Sequence, residues 1–138
     1  MPKILYDRVI LRYLEIMKKL LAEPSHNFAK ASSMIVPKEP GVYLIYDKKE
    51  EVIIYAGRTK NLRRRLLGDH RRGNIKGSQF RRALKRNLAF ESESEITSYI
   101  LENCSFQFMV VKEFEEMVRL EHFVTAVLAP ALNVKLRQ

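Results

Sequence analysis

The sequence predicts an α+β domain: a small three-stranded, mainly antiparallel sheet flanked by helices, with an extra helix at the N-terminus. Three observations carry that expectation. The runs "GVYLIYD" and "EVIIYAG", rich in β-branched and aromatic residues, flank the charged turn "KKEE" as the arms of a hairpin do. "SFQFMVVK" alternates and runs apolar, as a central strand would, and the remaining apolar residues recur at helical spacing. A chain of 138 residues fits one hydrophobic core and is short of two. We divide it into an N-terminal helix and connector, residues 1–36, and a main domain, residues 37–138.

In order, Val9, Ile10, Tyr13, Leu14, Met17, Leu20 and Leu21 share one helical face and Pro24 stops the pattern, which predicts a helix over 6–22. "SHNFAKASSMIVPKEP" reads as a connector. In the hairpin, Tyr43 and Tyr55 share a sheet face if the loop is odd-numbered, such as Lys48 to Glu50, and no bulge intervenes; an even loop separates them. Asn61 or Thr59 caps the next helix, where Leu62 and Leu66 face the sheet, Arg64 points away and Gly68 ends the helix. Arg63 and Arg65 flank that apolar seam on opposite sides, and periodicity does not choose between them.

"SQFRRALKRNL" is a basic amphipathic helix with Phe80, Leu84 and Leu88 inward and Arg81, Arg82, Lys85 and Arg86 outward. "ESEITSYILEN" is a helix capped by Ser92 or Ser94, and "FEEMVRLEHFVTAVL" is a long one halted by Pro130. On a 100° projection of the last helix, Glu121 falls among Phe114, Met117, Val118, Val124, Thr125 and Leu128. An inward carboxylate needs an arginine partner or a divalent cation, and the residues leave both open.

Charge narrows the function classes. Lys and Arg number 25 against 16 acids, a net +9. Residues 58–86 hold twelve Lys or Arg and one acid, Asp69, a local +11 that leaves −2 for the rest of the chain. Such a patch favours a polyanionic partner, nucleic acid ahead of an anionic membrane surface. No apolar run of membrane-spanning length is present, and cytoplasmic location is expected. Cys104 has no second Cys to pair with, and the spacing of His26, His70 and His122 is not that of zinc ligands.

With "GVY" at Gly41 to Tyr43, "YAG" at Tyr55 to Gly57, eleven residues between the two tyrosines, and "AGRTKNLRRRL" after them, the chain resembles the GIY-YIG nuclease superfamily from about Pro37 to Val134. It is similar to the excision-repair and structure-specific members. The resemblance implies a GIY-YIG-type fold and a metal-dependent endonuclease that hydrolyses DNA phosphodiester bonds in repair or recombination. It implies Arg65, eight positions after Gly57, as the contact to the scissile phosphate, and Glu121 as ligand of a single Mg²⁺, with Mn²⁺ as substitute. Asn133, after Pro130, would orient a ligand or the substrate backbone. Many members carry a His or Tyr four residues beyond the arginine, where this chain has Asp69 with His70 next, and Gly68 would let His70 reach in.

By the same resemblance Tyr43 is the general base, aided by Tyr55. A phenol of pKa about 10 is a poor base unless cations lower it, and Arg58 and Arg65 are expected to do so. Arg63, Arg64, Arg71, Arg72, Lys76, Arg81, Arg82, Lys85 and Arg86 are expected to draw in duplex or branched DNA through its phosphates. Target choice is left to DNA shape or a protein partner, with no membrane role. The rival reading is a non-catalytic module that binds DNA or structured RNA.

Overall fold

The computed structural model describes residues 5–133, so the outermost ends of the two predicted segments, and Val134, lie outside the described residues. The elements are α1 (Tyr6–Leu21), β1 (His26–Asn27), β2 (Gly41–Asp47), β3 (Val52–Thr59), a π-helical segment (Arg64–His70), α2 (Gln79–Leu88), α3 (Glu93–Asn103), β4 (Cys104–Val110) and α4 (Phe114–Leu128). The sheet is antiparallel in the order β1-β4-β2-β3. It thus has four strands instead of the expected three. The added strand, His26–Asn27, is too short to show an alternation. It is held by pairing to Phe106 and Ser105, with Phe28 packed 4.8 Å from the Phe106 ring.

Both faces of the sheet are covered, which is why β2 reads as a near-continuous apolar run. On one side Val42, Leu44 and Ala56 pack against Tyr13, Met17 and Leu20 of α1 and Met117, Leu120 and Val124 of α4. On the other, Tyr43, Ile45, Tyr55 and Phe106 meet Leu62 and Leu66, Phe80 and Leu84 of α2, and Ile96 and Ile100 of α3. Residues 5–36 contribute to both cores, with Phe28, Ala31 and Val36 on the second side. The first turns of α1 depart from the periodic reading: Val9 and Ile10 are each 51% exposed. Ser92, and not Ser94, caps α3 by accepting from the Glu95 N–H. No helix among the described residues is long and apolar enough to cross a membrane.

The hairpin reaches the expected facing of its tyrosines by a different route. Asp47 pairs with Val52, leaving an even loop at 48–51, in which the Asp47 carboxylate accepts from the Lys49 and Glu50 N–H groups. That loop alone would put Tyr43 and Tyr55 on opposite faces. The register slips between Ile45 and Tyr46, with Ile45 opposite Tyr55 and Tyr46 opposite Ile53, so Ile54 is an extra residue. The bulge returns Tyr55 to the face of Tyr43.

Helix α2 corrects two orientations. Leu88 is 45% exposed, because the helix ends there with Ala89 in the left-handed region. Arg81, expected outward among the DNA contacts, is completely buried. Its guanidinium donates to the carbonyls of His70 (3.1 Å), Arg71 (3.3 Å) and Glu93 (3.1 Å), the Glu93 carboxylate (3.0 Å) and the Thr97 hydroxyl (2.8 Å). A buried cation with that many acceptors is a structural cross-link. Arg81→Ala is therefore expected to lower the unfolding free energy by roughly 3 kcal/mol through a cavity and orphaned acceptors. The exposed neighbour Arg86→Ala should change it by less than about 0.5 kcal/mol. Urea titrations of the two variants check this.

Candidate active site

The two glycines of the sequence motifs are sites of close approach. A Cβ on Gly57 would lie 2.5 Å from the Tyr43 hydroxyl, and one on Gly41 would lie 2.7 Å from Leu62 Cδ1. Tyr43 crosses its neighbouring strand over Gly57, 6.4 Å from the Tyr55 ring centroid, and is 1% exposed. Its hydroxyl is 2.7 Å from His70 Nε2, and His70 Nδ1 is 2.7 Å from Ser78 Oγ. Ser78 also caps α2 by accepting from the Arg81 N–H. Two proton arrangements satisfy this chain. Either Tyr43 donates to Nε2 and Nδ1–H donates to Ser78, or Ser78 donates to Nδ1 and Nε2–H faces the Tyr43 oxygen.

Local helix geometry explains how His70 arrives. The chain is helical from 62 to 72, with the Asn61 side chain accepting from the Arg64 N–H, and Gly68 lies inside this run instead of ending it. From Arg64 to His70 the turn is π-helical, so residues five apart come onto one face. The insertion carries His70 to the face that a residue four beyond Arg65 takes in an α-helix. Asp69, at that spacing, accepts instead from Arg65 Nε at 3.2 Å.

Burial dominates the titration of this cluster. It raises Tyr43 well above the usual phenol value of 10.0; Tyr55 adds to the rise, the Arg65 charge opposes it and Glu121 adds a little more. Tyr55 is raised by burial as well, against Arg65 and Arg82 and with Glu121. The expected lowering of both phenols is therefore overturned: desolvation outweighs Arg65, and Arg58 faces Glu121.

His70 is held well below 6.5 by burial first, then by the charges of Arg65 and Arg81. A lowered folded value means the unfolded chain binds the proton more readily. This contribution to stability is full above about pH 6.5 and is lost as pH falls toward the folded value. Relative to His70→Gln, the wild type should lose up to about 1.4 kcal/mol per pH unit below about 6.5. Urea unfolding at several pH values reads this, and identical slopes would contradict it.

Glu121, with a 13% exposed side chain, pairs with Arg58 at 2.8 Å and accepts from the Thr125 hydroxyl at 3.1 Å. Among the described residues no group of three or more His, Cys, Asp or Glu could enclose a metal. One carboxylate suits only a hard ion that keeps most of its waters, as Mg²⁺ does. Asn133 accepts from the Ala56 N–H at 3.0 Å and donates to its carbonyl at 2.9 Å. Its amide closes the outer edge of β3, whose backbone groups would otherwise be open, while it also borders a cleft.

Tyr55, Arg58, Arg82, Arg86, Glu121 and Asn133 border one cleft of about 550 Å³. Arg58, Lys60, Arg64, Arg65 and Asp69 border a second of about 400 Å³, so Arg58 joins the two, and Tyr43 and His70 lie buried beneath. Two more expected DNA contacts are drawn inward along with Arg81. Arg63 Nε donates to the Val36 carbonyl, and Arg71 Nη1 to those of Phe28 and Ala31, because the irregular connector offers carbonyls with few other donors. Arg82 donates to the Ile75 carbonyl at 2.5 Å but still borders the first cleft. Arg64, Arg72, Lys76, Lys85 and Arg86 are exposed. The pattern reading missed Ser78 and Thr125; Ser78, directly before a helical run, was findable as a capping residue.

The family model of the GIY-YIG catalytic domain matches residues 39–120. No curated protein matches the chain. Among solved structures, the N-terminal endonuclease domain of UvrC from Thermotoga maritima bound to magnesium is 25% identical over 87% of this chain and 97% of that one, with a TM-score of 0.44. Two tyrosine-to-phenylalanine variants of that domain, bound to its catalytic divalent cation, are 24% and 26% identical, with TM-scores of 0.45 and 0.43. Each covers 87% of this chain and 96% of its own.

Proposed function

The chain belongs to the GIY-YIG family, and on that premise we propose that it is a metal-dependent endonuclease that hydrolyses DNA phosphodiester bonds, on branched or damaged DNA of repair or recombination. The observation that carries the reading is the junction of two clefts at Arg58. The Glu121 carboxylate and Tyr55 stand on one side and Arg65 on the other, over a buried Tyr43–His70 pair.

In this reading Tyr43 works as a relay and not as a free phenolate. As it takes a proton from the attacking water, its own proton passes to neutral His70 Nε2, 2.7 Å away. The low pKa of His70 keeps that acceptor unprotonated at neutral pH. Ser78 holds the opposite ring nitrogen, Arg65 grips the phosphate through its planar fork, and Tyr55 borders the reacting centre. Glu121 is the residue to hold Mg²⁺ or Mn²⁺, and the bound ion supplies Lewis-acid stabilisation of the leaving oxygen. Arg58, released from Glu121, is free for the phosphate. Asn133 keeps β3 in place, and the exposed cations bind the flanking backbone.

Purified protein with Mg²⁺ should nick or cut a panel of linear, flapped and branched DNAs, and the preferred member shows whether DNA shape sets the target. If none is preferred, a protein partner supplies the choice. Affinity should fall steeply with salt, each neutralised phosphate adding roughly 0.9 to the log-log slope. Retained, salt-dependent binding with no product on any substrate would mean a non-catalytic binding module.

A further inference from the structure

The first cleft is larger and less polar than phosphate chemistry requires. The Arg58–Glu121 pair, Arg82 and Arg86 bring charge to its lining, while Ala83, Thr125, Ala126 and Leu132 add a stretch of small and apolar surface. An ion or a phosphate gains nothing from such surface. A volume near 550 Å³ falls within the roughly 300–1,000 Å³ of sites that enclose organic ligands. The apolar wall is also pinned: Leu132 N–H donates to the Ile54 carbonyl at 2.9 Å, and Asn133 clamps Ala56 beside it. Two planar cations on one face of α2, Arg82 and Arg86, stand at the rim, and Gln79 places its amide oxygen 3.5 Å from the Tyr55 hydroxyl.

We infer that this apolar stretch of the cleft receives one unstacked nucleobase next to the scissile phosphate, so that the strand being cut is single-stranded or opened at that point. The inference rests on the endonuclease reading for the position of the phosphate. Bases of an intact duplex are covered by their stacking neighbours, and only an extruded or unpaired one enters a concave site. Its faces meet Ala83, Ala126 and Leu132, its polar edge meets Gln79, and the guanidinium groups of Arg82 and Arg86 serve as stacking planes and phosphate contacts. The second cleft offers Lys60, Asn61, Arg64 and Arg65 with no comparable apolar wall, so the strand is followed there by its phosphates alone. One base on one side of the cut is held.

The test measures binding by fluorescence anisotropy, without divalent cation, to a short single strand and to the same strand with every base replaced by a stable abasic residue. Wild type should bind the base-bearing strand about tenfold more tightly, the scale of one stacked base. Ala126→Phe, on the exposed side of α4, fills the cavity. It should bind both strands as wild type binds the abasic one and leave affinity for intact duplex unchanged, whereas Ala126→Ser keeps the discrimination. Equal binding of the two strands by wild type, or a tenfold preference surviving in Ala126→Phe, overturns the inference. Cleavage with Mg²⁺ is scored separately. Base discrimination without product removes the endonuclease reading and leaves the base site; product without discrimination does the reverse.

Discussion

Glu121→Gln should lower the rate of Mg²⁺-dependent DNA cleavage by about 10³-fold or more and leave DNA affinity within about threefold. The substitution keeps size and hydrogen-bonding shape, so the Thr125 hydroxyl retains an acceptor and α4 keeps its packing against β3. What disappears is the negative charge, which is what a divalent cation needs and what Arg58 balances at 2.8 Å. The freed guanidinium then faces DNA from the junction of the two clefts, so binding is not expected to weaken and may be compared directly by anisotropy. Glu121 raises Tyr43 and Tyr55 only as a lesser cause after burial, so the loss cannot be assigned to the phenols. Single-turnover cleavage with saturating enzyme separates the chemical step from binding. A variant that cuts at the wild-type rate would remove Glu121 from the reaction, and one that loses binding and turnover together would make it a structural partner of Arg58.

The acid itself was legible in the sequence, because a carboxylate among apolar positions on a projected helix stands out whatever the fold. Its partner was not, since periodicity says which way Glu121 points and nothing of what β3 brings to meet it. Tyr43 and Tyr55 illustrate a different limit. Their shared face was derivable only as a parity condition on the loop, and an even loop plus a bulge at Ile54 satisfies the same condition as an odd loop without one. His70 was named through the resemblance alone, with Gly68 as its route: a 3.6-residue template places Asp69 beside Arg65, and the π turn that in fact admits His70 leaves no mark in the apolar pattern. Arg81, Arg71 and Arg63 were counted as surface because charge usually is. Arg81 is inside, and Arg71 and Arg63 are held at half-buried positions, because irregular backbone or a helix junction presents carbonyls that need donors, a fact of tertiary structure that composition does not hold.

Arg65 and its neighbour Arg64 provide the sharpest separation of chemistry from binding in the arginine run. Arg65 is half-buried, bonded to Asp69 at 3.2 Å, and its charge is the one that opposes the upward shift of Tyr43. Burial works against its own protonation, but Tyr43 and Asp69 outweigh it and hold the guanidinium charged. Arg64 is exposed at the rim of the second cleft, near the reacting centre but not against it. Arg65→Ala is therefore expected to lower kcat by about 10²–10³-fold, the usual loss when one preorganised donor to a developing charge is removed. Arg64→Ala should leave kcat unchanged, weaken binding on all sequences alike and reduce the salt slope by about 1. Stability is not expected to explain the difference, because the Asp69 carboxylate left behind is partly solvated and a solvent-reachable pair of this kind contributes about 1 kcal/mol. Arg65→Lys should recover only part of the rate, since a point charge lacks the two-pronged geometry that fits a phosphate. If both alanine variants weaken binding by the same factor and leave kcat alone, Arg65 is one more phosphate contact and the reacting centre lies elsewhere.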